Sequence, residues 1–163
     1  MRLIHLPTFW TILVDFLAWF IIHLGVVGWV TRIPRNRFHP DGWIYRIRAW
    51  EDGGNSYQRF FRIKKWKTFL PDAAPLLGSR GFPKKKLVGR SLESLRPFLQ
   101  ETCRAEFTHW LILLFAPFFF LWNPLWVGFL MVFYALAENI PLILAQRFNR
   151  ARLARLFRRG NRS

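Results

Sequence analysis

Acidic side chains are scarce in this chain: Asp and Glu number 9 against 25 Lys and Arg, leaving a formal net charge of +16. Cysteine is nearly absent. Cys103 stands alone, so no intrachain disulfide framework exists. None of the four histidines is followed by aspartate five positions later, which excludes the His-x4-Asp box of glycerolipid acyltransferases. There is no Gly-x-Ser-x-Gly elbow, no Walker loop and no His or Cys cluster at metal-ligand spacing, so no bound cofactor or metal is expected. No internal repeat is visible either.

Apolar and basic residues are both abundant, with 52% of the chain hydrophobic and 18% aromatic. The two populations are separated along the sequence, and that separation sets the class. Thr8 to Val30 is apolar except for Asp15 and His23; Phe107 to Trp122 and Leu125 to Ala145 are the other long runs. About 20 helical residues cross a hydrocarbon core of roughly 30 Å. The pattern therefore predicts an all-α integral membrane protein, one membrane domain over 1–163 with spans near 8–30, 107–122 and 125–145. The middle run is short and must borrow its first turns from the polar stretch before it. A cleaved signal peptide is the alternative for the first run, but that run is long, contains Asp15 and lacks a small-x-small cleavage pattern.

Residues 31–106 hold most of the Lys and Arg, and the tail 146–163 holds seven arginines and no acid. The Trp122-Asn-Pro124 turn is uncharged. The positive-inside rule then predicts a multi-pass protein of a cell membrane with its N-terminus outside, and a basic cytoplasmic loop and C-terminus. Trp10, Trp29, Trp110, Trp122 and Trp126 fit interfacial belts, and Cys103 falls on the reducing side. Within the loop, Pro34, Pro40 and Gly53-Gly54 break regular structure, while residues 56–70 interleave aromatic and basic residues. That interleaving predicts an amphipathic helix lying on anionic lipids and stopping at Leu70-Pro71-Asp72, with Asp72 a turn cap. A loop with Lys84 to Lys86 follows. A helix capped by Ser91 or Ser94, with Pro97 in its first turn, then runs into the second span and kinks at Pro117.

Ionisable groups at the edge of an apolar run, or inside one, mark candidate sites. Glu101-Thr-Cys-Arg-Ala-Glu-Phe-Thr-His-Trp110 places Glu101, Arg104, Glu106 and His109 at the doorway of the second span. Glu106 and His109 share a helix face, and a carboxylate beside an imidazole fixes its tautomer and raises its basicity. Span three carries Tyr134, Glu138 and Asn139 before Pro141, which cannot bond the carbonyl of Ala137. Asn139, Gln146 and Arg150 form a second polar stripe. Such groups either act on a substrate or pair helices. The alternative for His109 is an interfacial histidine that merely pairs with Glu106, and His23 reads as a structural or cavity-lining residue.

Three blocks carry a resemblance: Trp66-Lys-Thr-Phe-Leu-Pro-Asp72, Glu101 to Trp110, and Asn139-Ile-Pro141 with Gln146-Arg-Phe-Asn-Arg150. Together with the Trp122-Asn-Pro turn, they make the chain similar to the glycosyl-4,4′-diaponeurosporenoate acyltransferases from about Trp50 to Leu156. Those bacterial membrane enzymes of staphyloxanthin-type carotenoid synthesis esterify the glucose 6-hydroxyl of a glycosylated carotenoid with a fatty acyl chain. The resemblance implies a fatty acyl donor, as acyl-CoA or an acyl carrier protein thioester, and a glycosylated carotenoid or related glycolipid acceptor. It implies His109 as base with Glu106 orienting it. Arg104, Arg147 and Arg150 would hold donor phosphates or polarise the thioester carbonyl, and Glu138, Asn139 and Gln146 would bind sugar hydroxyls; Glu101 and Asn149 complete the substrate-binding set. Cys103 stands where the family is associated with a basic residue, and only cations are near to activate it.

Two other classes remain open on the sequence: a non-catalytic membrane scaffold or lipid-binding protein of a biosynthetic complex, and a membrane-anchored nucleic-acid binder. Positive-inside topology explains the basic charge without a nucleic acid, so none is expected as partner. Three spans are few for enclosing two lipid substrates, which favours a homo-oligomer.

Overall fold

The computed structural model describes residues 4–69 and 92–160. The expected stop at 70–72 with its Asp72 cap, the lysine-bearing loop and the choice of Ser91 or Ser94 as cap lie outside the residues and side chains described. Among the described residues every regular element is helical, with no strand: α1 Thr8–Arg32, α2 Asn55–Phe61, α3 Ile63–Trp66, α4 Leu92–Phe115 and α5 Leu125–Gly160, with short 3-10 turns between them. Three helices are long and apolar enough to cross a membrane: Thr8–Arg32, Arg96–Leu121 and Leu125–Arg155. The middle one starts well before Phe107, so the polar doorway is itself helical. Because α4 begins at Leu92, Pro97 falls in its second turn instead of its first. At Pro117 the α-helix ends instead of bending. A proline cannot donate to the preceding turn and disfavours α geometry at the residue before it, so Ala116–Leu121 tightens into 3-10 turns.

The chain forms two compact units, Met1–Arg32 with Phe107–Pro141, and Ile33–Glu106 with Leu142–Ser163. In the first, α1 buries Thr11, Asp15, Trp19, Val26 and Val30, a stripe at helical spacing, and leaves Phe9, Phe16, Phe20 and Leu24 outward. The Trp19 ring stacks on Phe119 with centroids 4.5 Å apart, and its Nε1–H points to Met131 Sδ at 3.4 Å. Asp15 is 7% exposed, and its Oδ1 accepts from Trp122 Nε1 at 2.8 Å and Asn123 Nδ2 at 2.7 Å. Trp122, expected in an interfacial belt, thus ties α1 to the turn before α5. Trp10, Trp29, Trp110 and Trp126 do face outward.

The second unit packs around Tyr57, Ile63 and Phe148, flanked by Trp66 and Leu144. Its expected amphipathic helix is broken at Arg62, whose φ is 49°. In an unbroken helix, positions 57 and 63 would point about 120° apart. The left-handed step lets both reach Phe148, and the Gln58 side chain takes the Lys64 N–H at 3.0 Å to close the break. Ahead of α2, Asp52, Gly53 and Gly54 all have positive φ. A Cβ on Gly54 would stand 3.2 Å from Arg152 Cγ and 3.4 Å from the Phe148 ring. Gly54→Ala is therefore expected to cost roughly 1–3 kcal/mol of stability, read as an earlier thermal transition in detergent.

Candidate functional site

In the membrane-type unit, α1, α4 and α5 all bring titratable side chains into a polar cluster. His109 of α4 places Nδ1 at 2.9 Å from Asn139 Oδ1. Asn139 is 1% exposed, and its Nδ2 donates to the Ala135 carbonyl at 2.9 Å, which fixes the amide orientation. An amide oxygen only accepts, so His109 Nδ1 carries the hydrogen. The neutral ring then keeps its lone pair on Nε2. This is the tautomer a general base requires, held by a neutral amide.

His23 of α1 follows the same logic. Its Nδ1 donates to the Trp19 carbonyl at 2.8 Å, and its Nε2 faces Glu138 Oε1 of α5 at 3.3 Å. His23 Nε2 is itself buried without a hydrogen-bond partner, so this approach is a contact and not a hydrogen bond. Glu138 Oε2 is buried with no hydrogen-bond partner. Both members of the pair are close enough to His109 to act on its charge, and the Tyr134 hydroxyl approaches Glu138.

The second unit contains a different constellation. Glu51 and Glu106, 0% and 1% exposed, face Arg147 and Arg150. Arg147 Nη1 donates to Glu106 Oε1 at 2.9 Å; its Nε donates to Glu51 Oε1 at 3.2 Å and to the Tyr57 hydroxyl at 3.2 Å. Arg147 Nη2 also pairs with Glu51, and Arg150 Nη2 with Glu106 Oε2. Arg150 Nε takes the Tyr45 carbonyl at 3.0 Å, with its guanidinium 5.7 Å from that ring centroid. The tetrad is electrically neutral, as burial demands. Burial pushes both the Tyr45 and Tyr57 hydroxyls up to about 12, so each is a neutral phenol beside these charges.

Of the residues singled out in the sequence, His109, Asn139 and Glu138 come together in one unit, and Glu106, Arg147 and Arg150 in the other. Arg104 pairs with Glu101 at 2.7 Å; Asn149 accepts from Lys67 Nζ at 3.1 Å; Gln146 is half-buried. Cys103 is fully buried. Glu51 escaped the sequence reading. Its one signal is an acidic pair, Glu51-Asp52, within a strongly basic segment. No group of three potential metal ligands occurs among the described residues.

Comparison with known proteins identifies the frame in which these sites sit. Residues 41–159 match the family model described as glycosyl-4,4′-diaponeurosporenoate acyltransferase. The chain belongs to this family. A glycosyl-4,4′-diaponeurosporenoate acyltransferase of Staphylococcus haemolyticus strain JCSC1435 is 34% identical over 135 residues, 83% of this chain and 78% of the relative. One of the same name from Staphylococcus aureus strain MRSA252 is 31% identical over 140 residues, 86% of this chain and 84% of the relative. No solved structure matches the chain. Both polar clusters include residues within the matched range, whereas His23 lies ahead of it.

Proposed function

We propose that the protein is a membrane-embedded acyltransferase that esterifies a sugar hydroxyl of a glycosylated carotenoid or related glycolipid. Family membership supports the reaction class. The observation that carries the residue assignment is the His109–Asn139 hydrogen bond, which leaves Nε2 as the basic atom inside an apolar unit. The acceptor hydroxyl gives its proton to His109 Nε2 as its oxygen attacks the thioester carbonyl carbon. The C–O bond forms, the C–S bond breaks, and the thiolate recovers the proton from His109. The donor is an acyl-CoA or acyl carrier protein thioester.

Glu106, Arg147 and Arg150 are committed to one another and to Glu51, so this reading gives them the task of fixing the loop around Tyr45 and Glu51. Donor phosphates then fall to solvent-facing cations such as Arg59, Lys64, Lys65 and Arg152. The three long helices support a multi-pass arrangement, and the basic residues of 31–106 and 146–163 favour placing that loop and tail in the cytoplasm with the N-terminus outside. Exposed Trp43, Trp50, Phe60 and Phe69, with Arg48 over the Trp43 ring at 5.5 Å, support a loop resting on an anionic headgroup layer.

Purified protein in anionic proteoliposomes, given a glucosylated carotenoid and fatty acyl-CoA or acyl carrier protein, should yield the sugar ester by mass spectrometry. Absence of ester with either thioester would overturn the assignment in favour of a non-catalytic scaffold.

A further inference from the structure

Two acceptors without donors lie around residues 138 and 139 of α5, apart from the orphaned Asn123 Oδ1 at the turn before that helix. His109 Nε2 carries a lone pair because Asn139 holds the hydrogen at Nδ1. Glu138 Oε2 is buried and has no hydrogen-bond partner, while Oε1 faces His23. Glu138 and Asn139 are consecutive on α5, so the two acceptors are anchored to neighbouring residues of one helix. A carboxylate oxygen shielded from solvent and left without a donor is costly, and the cost is larger for a charged group. Such a position is normally filled by a donor from somewhere. Among the described residues His109, His23 and Tyr134 are the titratable groups around Glu138, and none donates to Oε2.

We propose that this acceptor-rich cluster is a two-point site for a polyhydroxylated acceptor. One sugar hydroxyl, the one to be acylated, donates to His109 Nε2, and a second donates to Glu138 Oε2. A thioester carbonyl or an acyl chain offers no O–H and has nothing to give these atoms. A diol matches both. The inference rests on the acyltransferase reading above and deepens it, because it makes Glu138 the residue that distinguishes a sugar from a simple lipid alcohol. His23 is then a positioning residue. Its Nδ1 is anchored to the Trp19 carbonyl, and its Nε2 stands 3.3 Å from Oε1, which limits where the carboxylate can turn.

Deoxy acceptors crossed with variants test this. The wild type is assayed with a glucosylated lipid acceptor and with analogues lacking each non-reacting sugar hydroxyl in turn. One analogue is expected to lose roughly 10–100-fold in kcat/KM, the size of a hydrogen bond to a charged group. Glu138→Ala should lose a similar factor with the complete acceptor and nothing further with that analogue, while KM for the thioester stays unchanged. His23→Phe should raise the acceptor KM more than it lowers kcat and should weaken the same hydroxyl preference. Should Glu138→Ala fail to fold, Glu138→Gln replaces it, with the same pattern at smaller amplitude. If Glu138 variants lose the same factor with every acceptor, or if the wild type ignores all the deletions, the two-point site is overturned while the acyltransferase reading stands. Absence of wild-type turnover would instead strike that underlying reading.

Discussion

Replacing His109 by alanine is expected to lower kcat by about 10²–10⁴-fold, the usual contribution of a positioned general base, while leaving KM for the thioester nearly unchanged and raising that for the acceptor. The ring holds one acceptor hydroxyl in the ground state but takes its proton only in the transition state, so its loss lowers kcat more than it raises the acceptor KM. Asn139→Leu removes the amide that pins Nδ1–H, and the imidazole is then free to place its hydrogen on Nε2, where it blocks base catalysis. A wrong tautomer is costly in other triads, and a drop of about tenfold or more in kcat is expected here. The two effects should not add, because Asn139 acts through His109 and has no role once the ring is gone. Ester formation under single-turnover conditions separates this step from product release. Retention of wild-type single-turnover rates by His109→Ala would remove the histidine from the chemistry.

The parts of this architecture governed by local pattern were legible in the sequence. Three apolar runs foretold three long helices, and the Gly53-Gly54 break appears where α5 presses Arg152 and Arg155 against the glycines. The features that failed to show depend on partners far along the chain. An unbroken helix over 56–70 satisfies local propensity, but burial of both Tyr57 and Ile63 against Phe148 favours the left-handed step at Arg62. Pro117 was expected to kink the helix, but the chain ends its α-helix there and tightens into 3-10 turns. Glu106 and His109 shared a face on the lattice, as expected, yet the bonds on each come from α5: Asn139 for the histidine, Arg147 and Arg150 for the carboxylate. Glu51 lies 96 residues from Arg147, and no periodicity connects them. Ion pairs of that separation are set by tertiary packing, and a single sequence does not encode them in any spacing.

Glu106→Leu should destabilise the protein by about 3–5 kcal/mol, because it strands buried guanidinium charge. Glu106 binds Arg147 through Oε1 and Arg150 through Oε2, and Arg150 is 1% exposed. Glu51 can still answer Arg147, but Arg150 would keep only neutral neighbours, the Tyr45 carbonyl and ring and the Cys103 thiol. Arg150→Met alone should cost less, since Glu106 retains Arg147. The two substitutions together should recover part of the loss of Glu106→Leu, because the stranded charge leaves with the arginine and apolar volume takes its place. The molecule supplies its own reporter: Cys103 is the only cysteine and is fully buried. A thiol-reactive fluorophore added to the detergent-solubilised protein therefore reads opening of this region as temperature rises. Glu106→Leu should label at markedly lower temperature than wild type, and the double variant in between. Equal labelling temperatures for wild type and Glu106→Leu would show that the tetrad does not hold the unit together. The ordering of the three variants matters more than any one value, because it separates loss of a charge partner from loss of packing.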